Sequence, residues 1–159
     1  MISGSGIPQV EGILTRNLKI NWFSVLFYKF VGGLICLCAG LSVGREGPSV
    51  QMGACIGEGV SKNLKNLDNE EKYLITSGAS AGLSAAFNAP LSGVMFALEE
   101  AHKNFSPLVL TSAMIASISA DFVSKQFFGL IPSLDFRKVE PLPLKNYWTL
   151  IILGIIIGI

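Results

Sequence analysis

Long apolar stretches interrupted by glycine and proline dominate the hydrophobic pattern of this chain. The run from Trp22 to Val43 contains a single charged residue, Lys29. Its length and apolar character predict a helix at membrane depth. Lys29 lies near one end of the run, so we expect its amine to extend toward the membrane interface.

Shorter helices are predicted on either side of that run, and proline begins several of them, as suits the first turn of a helix. Many are too short to cross a bilayer upright, and helices broken at membrane depth are tolerated only inside protein or along a watery cavity. In transporters such breaks mark binding sites, so the pattern indicates transport. The predicted helices cover Pro8 to about Leu14, Pro48 to about Leu64, about Glu70 to Phe87, Pro90 to about Lys103, and Pro107 to Phe128.

Small residues predict where these helices pack on one another. Gly53 and Gly57 are four residues apart on one predicted helix, and the segment from Ser77 to Ala86 has almost no large side chains. Such faces let membrane helices approach closely. We therefore expect the segment from Ser77 to Ala86 to be buried among helices rather than exposed to lipid.

The composition places the chain in a membrane. Half of the residues are hydrophobic (50%) and only 14% are charged, whereas soluble domains carry about 25% charged residues. The lysines and arginines form no basic stripe, so we expect no nucleic-acid partner. We predict an all-α, multi-pass integral membrane protein.

Two junctions between a loop and a helix share one design. The segments Ser3–Pro8 and Gly44–Pro48 each place flexible glycines before a helix that begins with proline. A helix N-terminus carries free N–H groups and partial positive charge, which suit an anion. Two such termini aimed at one point would bind a dehydrated anion without a full positive charge, with Ser5 as hydroxyl donor. The alternative is a pair of ordinary membrane turns.

Two sets of carboxylates are candidates for moving protons. Glu46 could occupy an anion site when ionised and leave it when protonated; the alternative is a surface ion pair with Arg45. Glu99 and Glu100 end a predicted helix, where carboxylates oppose the helix dipole, which suits proton transfer. The alternative for this pair is a solvated helix end. Glu11 is expected to pair with Arg16 or Lys19.

Enzyme signatures are missing from the sequence. There is no Gly-x-Ser-x-Gly elbow, no Walker loop and no His-Glu-x-x-His motif. The chain has one histidine, and its three cysteines lie in apolar runs without the spacing of a zinc site. We therefore expect no enzymatic activity, no metal site and no cofactor.

Four segments in matching order resemble the signature segments of the CLC family of chloride channels and chloride/proton exchangers. The resemblance implies tilted, broken transmembrane helices in two inverted repeats, and a homodimer in which each subunit has its own anion path. Residues 1 to about 103 would be the later part of the first repeat, and about 104 to 159 a linker and the start of the second. The segments are Gly4-Ser5-Gly6-Ile7-Pro8, Gly44-Arg45-Glu46-Gly47-Pro48, Ala85-Ala86-Phe87-Asn88-Ala89-Pro90-Leu91-Ser92-Gly93 and Leu98-Glu99-Glu100.

The same resemblance implies roles for individual residues. Glu46 would be the gate, and Glu100 would be the internal proton acceptor, which favours chloride/proton antiport over passive conduction. Ser5, where nitrate-selective plant members carry proline, favours chloride. The transported partners would be chloride and protons, with the lipid bilayer and a second copy of the chain as surroundings. The residues implied to bind the anion are Ser5, Gly6, Arg45, Glu46 and Gly47.

Three further expectations concern completeness and alternatives. The last apolar run, from Trp148, contains about half of the roughly 20 residues that cross a bilayer, so we expect part of a longer protein. A passive chloride channel is the first alternative to an exchanger. A truncated structural membrane fragment with no transport of its own is the second.

Overall fold

The computed structural model describes the backbone of residues 4–64, 68–103, 106–129 and 143–158, and the side chains there except those of 68, 69, 100–102, 144, 151 and 158. Every regular element in those ranges is a helix, which confirms the all-α prediction. The elements are α1 (Ile7–Leu14), α2 (Trp22–Cys38), α3 (Glu46–Leu64), α4 (Asp68–Phe87), α5 (Pro90–Phe96), a π-helix (Ala97–His102), α6 (Pro107–Phe128), a 3₁₀ turn (Leu144–Asn146) and α7 (Trp148–Gly158).

Two of the helix boundaries that differ from the predicted ones have local reasons. Helix α3 begins at Glu46 rather than Pro48, because Ser49 donates both its backbone N–H and its hydroxyl to the Arg45 carbonyl, at 3.1 and 2.7 Å. A proline in the first turn loses no helical hydrogen bond. Helix α2 ends at Cys38, before the apolar run does, because Gly40 follows with φ of 74°. Glycine adopts this left-handed conformation readily and commonly ends helices.

Helix α4 is the centre of the fold, with α3 on one side and α6 on the other. One hydrophobic cluster joins α1, α3 and α4, and a second joins α5, the π-helix and α6. The first cluster contains Val10, Leu14, Val50, Ala54, Ile75 and Ala79, and the second contains Val94, Leu98, Val109 and Ala113.

Glycines bring the backbones of α3 and α4 into direct contact. A Cβ atom added to Gly53 would lie 2.1 Å from the Gly78 carbonyl oxygen, and one added to Gly78 would lie 2.2 Å from the Gly53 oxygen. Equivalent atoms on Gly57 and Gly82 would each lie 2.2 Å from a carbonyl oxygen of the facing helix. Only glycine fits at these positions, which confirms the small-residue packing prediction.

Buried serines join α4 to α6. The hydroxyl groups of Ser80 and Ser117 are 2.8 Å apart, and the Ser84 hydroxyl donates to the Ser117 carbonyl at 2.9 Å. All three serines are fully buried. Polar groups away from water need such partners, and hydroxyl bonds between helices are a common contact in membranes.

The outer surfaces of α2 and α6 are strongly apolar. Among the described residues, α6 is the one helix long and apolar enough to cross a membrane, while α2, the segment 90–99 and α7 are shorter apolar helices. Large side chains on both surfaces face outward, as expected of surfaces in contact with lipid or other protein. They include Phe23, Phe27, Phe30 and Leu34 on α2 and Ile115, Ile118 and Phe122 on α6.

Replacing Gly53 with alanine should destabilise the contact between α3 and α4. The added methyl meets a backbone carbonyl that cannot rotate away, so we expect the free energy of unfolding to fall by about 1–3 kcal/mol. Thermal or denaturant unfolding of the purified chain in detergent measures this change.

Gly32→Ala in α2 is the matched control. No atom lies within 4 Å of a Cβ added to Gly32, so alanine should raise stability by up to about 1 kcal/mol through helix propensity. Equal effects of the two substitutions would contradict the packing described here.

Candidate functional site

The starts of α1 and α3 lie side by side. A Cβ atom added to Gly47 would lie 2.1 Å from the Ser5 carbonyl oxygen, and one added to Gly6 would lie 2.6 Å from Gln51 Oε1. Gly47 and Gln51 are one turn apart on α3, so the loop before α1 rests on the first two turns of α3. The structure thus brings together Ser5, Gly6 and Gly47, three residues predicted to share one site.

The loop before α1 depends on glycine. Gly4 and Gly6 have φ of 80° and 97°, and Gly6 directly precedes the helix. No side chain caps the N-terminus of α1, so its first N–H groups have no such acceptor. Because α1 and α3 also share a hydrophobic cluster along their length, their N-termini lie at the same end. Two helix dipoles therefore present their positive ends to one region.

Glu46 is the first residue of α3, and its side chain is exposed. A Cβ atom added to Gly44 would lie 2.6 Å from Glu46 Oε2, so the carboxylate folds back over the loop at the helix start. A carboxylate is electrostatically favoured at that end of a helix. Arg45 is also exposed, and among the ion pairs of the described side chains none joins Arg45 to Glu46.

Lys29 is a residue of this site that the sequence pattern did not assign to it. Its side chain is only 6% exposed, and its Nζ donates a hydrogen bond to the Gly4 carbonyl at 3.0 Å. The expectation that Lys29 extends to the membrane interface is therefore wrong. The packing of α2 against α3 turns this position inward, toward the loop that carries Ser5. The sequence did contain a signal for this role, because Lys29 is a lone lysine in an apolar run. An ionisable residue at membrane depth is by default a functional-site candidate.

Two cavities meet at Lys29 beside the helix starts. One of about 240 Å³ is bordered by Gly4, Gly33 and Pro48, and one of about 190 Å³ is bordered by Gly44, Arg45 and Ser49. A water molecule occupies about 30 Å³ in the liquid. Each cavity is larger than several water molecules, and Lys29 is the charged side chain that the two cavities share.

Glu100 belongs to the π-helix Ala97–His102, which packs against α1. Its side chain lies outside the described residues. Lys103, in the left-handed conformation after the π-helix, forms an ion pair with Glu11 of α1. Lys103, a partner from a distant part of the chain, was not among the predicted partners of Glu11, which were Arg16 and Lys19. π-Helical turns occur frequently at functional sites.

Helix α1 lies between the two regions that carry the candidate glutamates. The loop with Ser5 precedes the first residue of α1, and Lys103, which follows the π-helix, pairs with Glu11 in the middle of α1. Among the described residues, no group of three His, Cys, Asp or Glu side chains could hold a metal ion.

Comparison with known proteins gives consistent matches along the chain. The voltage gated chloride channel family matches residues 1–159. The H⁺/Cl⁻ exchange transporter ClcA of Salmonella paratyphi B is 39% identical over 158 residues, which is 98% of this chain and 33% of that protein. ClcA of Salmonella newport matches with the same identity and coverage.

A solved structure agrees with the fold. The X-ray crystal structure of a slow cyanobacterial Cl⁻/H⁺ antiporter matches with a TM-score of 0.85 and 40% identity, covering 99% of this chain and 37% of that one. The chain thus spans about a third of the length of the relatives that it matches. The predicted fold of tilted, broken transmembrane helices is confirmed. This chain belongs to the voltage gated chloride channel, or CLC, family and is an integral membrane protein.

Proposed function

We propose that this chain contributes an anion site and proton-handling residues to chloride/proton antiport across a membrane. The observation that carries the proposal is the backbone contact between Ser5 and Gly47, which puts two helix N-termini together. Such termini bind anions through N–H groups and partial charges. The residues that we assign to the anion are Ser5, Gly6, Arg45, Glu46 and Gly47.

Lys29 complements this arrangement. Its ammonium group is held by the Gly4 carbonyl, so it acts on the anion through the loop rather than by direct contact. A full positive charge in contact with the anion would slow its release. The Lys29 ammonium group instead contacts the carbonyl of Gly4, the residue before Ser5. It therefore makes the electrostatic potential at the site more positive and leaves the anion exchangeable. The hydrogen bond also fixes the loop that presents Ser5.

Glu46 is the proposed gate. Its carboxylate lies at the start of α3, on an exposed side chain that forms no ion pair with its neighbour Arg45. When ionised it can compete for the same helix dipole that attracts the anion, and when protonated it loses that attraction. One side chain would then exchange a proton for an anion.

Glu100 is the proposed internal proton acceptor. Glu46 begins α3, whereas Glu100 belongs to the π-helix that packs against α1. A proton would pass between the two glutamates through intervening water. The ion pair between Lys103 and Glu11 supports this role, since it holds the π-helix against the helix that leads to Ser5.

The relatives favour antiport over passive conduction. The names of these relatives describe exchange of H⁺ and Cl⁻, which is transport rather than enzymatic chemistry. We also propose a homodimer in the bilayer, supported by the exposed apolar surface of α6.

The boundary between the two repeats is proposed near residue 103, where the π-helix ends and before α6 begins.

Glu46→Ala in the intact protein should abolish proton coupling and leave chloride flux, because the anion site keeps its backbone donors. Chloride efflux and pH change are followed together in liposomes under opposed gradients. Glu70→Ala, which removes an exposed carboxylate on α4, should leave both fluxes unchanged. Coupled proton movement in the Glu46 variant would refute the gate assignment.

Glu100→Gln should abolish proton flux and spare chloride flux, because the amide keeps the shape of the side chain but cannot take up a proton. Glu99→Gln is the adjacent control and should retain coupling.

The passive-channel alternative requires a reversal potential that a pH gradient does not shift in the unaltered protein. The structural-fragment alternative requires that the 159-residue chain by itself carries no chloride in liposomes.

Lys29→Met should weaken chloride binding about tenfold, since hydrogen bonds of charged groups contribute about 1.5–3 kcal/mol. Calorimetric titration of the detergent-solubilised protein with chloride measures the affinity. Lys145→Met, which removes an exposed lysine from the 3₁₀ turn, should leave the affinity unchanged. An unaltered affinity in the Lys29 variant would exclude its electrostatic role.

A further inference from the structure

A charged cavity lies at the opposite ends of α1 and α3 from the anion site. It has a volume of about 520 Å³ and is bounded by the end of α1, the connector to α2, the last turns of α3 and the first turns of α4. Cations outnumber carboxylates in its wall, so its net charge is positive. The charged residues are Arg16, Lys19, Lys62, Lys72, Glu58 and Glu71.

Arg16 occupies a strained backbone position at this cavity. Its φ is 60°, and it follows the last turn of α1, where the N–H groups of Asn17 and Leu18 both donate to the Gly12 carbonyl at 2.9 and 3.0 Å. Glycine is the usual residue in this left-handed position after a helix. An arginine there has a steric cost that a role for its guanidinium group would explain.

An ion pair orders one side of the cavity. Lys62 Nζ lies 2.5 Å from Glu58 Oε1, and the Glu58 side chain is only 6% exposed. This pair neutralises most of the charge of Lys62. The rest of the wall carries three cations, Arg16, Lys19 and Lys72, against one carboxylate, Glu71, so the excess positive charge lies there.

The position of the cavity points to the membrane interface. The connector that lines it leads directly into Trp22, whose ring packs edge-to-face on Phe23 at 5.6 Å. Aromatic residues concentrate at the level of lipid headgroups. Leu18 and Ile20 form an apolar part of the wall, next to the start of an apolar helix. A ligand with a charged head and an apolar body suits this combination.

We propose that this cavity binds the phosphate group of an anionic membrane lipid, with Arg16 and Lys19 as the main contacts. Arginine offers paired donors that match phosphate oxygens, and lysine adds a point charge. Basic pockets between transmembrane helices bind lipid headgroups in this way. The proposal does not depend on the transport function, because it concerns the other end of α1 and α3. Free inorganic phosphate offers the same oxygen atoms to this cavity, and a separate experiment distinguishes it from a lipid headgroup.

Native mass spectrometry of the purified chain in neutral detergent tests the proposal. Phosphatidylglycerol should be retained at least tenfold more strongly than phosphatidylcholine. Arg16→Gly and Lys19→Gln should each weaken phosphatidylglycerol binding about fivefold, whereas Lys145→Gln should have no effect. The thermal unfolding of Arg16→Gly is measured alongside, since glycine also relieves the strained φ. Lipid loss in a variant that stays folded assigns the loss to the guanidinium group.

Several outcomes would overturn the proposal. They are equal retention of the two lipids, unaltered binding in both cavity variants, or an equal loss in Lys145→Gln. Calorimetry with millimolar inorganic phosphate in the absence of added lipid separates the two sources of the phosphate group. No heat of binding is expected there, and phosphate binding that Arg16→Gly abolishes would show a soluble ligand in place of a lipid.

Discussion

The contact between the Ser5 carbonyl and Gly47 determines how the rest of this site is arranged. It requires that position 47 carries no side chain, since any Cβ atom would overlap the Ser5 backbone. With that contact in place, α1 and α3 begin at the same point and share a hydrophobic cluster along their length. The electrostatic character of the site then comes from backbone groups, which need no ionised side chain to attract an anion.

Helix α4 holds α3 in place, although it takes no part in the contact between Ser5 and Gly47. In a membrane, apolar side chains gain little by leaving lipid, so helices associate through close packing and hydrogen bonds. Here glycines supply the packing against α3, and Ser80, Ser84 and Ser117 supply the hydrogen bonds toward α6. The starts of α1 and α3 are thus held by a helix whose segment from Ser77 to Ala86 has almost no bulky side chains.

The helices and the two loop junctions could be predicted from the sequence because their signals are local. Glycine and proline near residues 4–8 and 44–48 specify a break and a helix start whatever surrounds them. The inward position of Lys29 and the pairing of Glu11 with Lys103 could not be predicted, because these partners are 25 and 92 residues away along the chain. The π-helix was also missed, since neither its composition nor its hydrophobic spacing differs from that of an α-helix end.

The interlocked backbones of α3 and α4 limit what can move at the site. A shift of either helix along or around the other would press a backbone carbonyl oxygen into the facing backbone, because the contacts at Gly53 and Gly78 leave no spare space. Glu46 is the first residue of one of these two closely packed helices, and its side chain is exposed. If Glu46 is the gate, as we propose, it opens by rotation about its side-chain torsions rather than by a movement of α3 against α4.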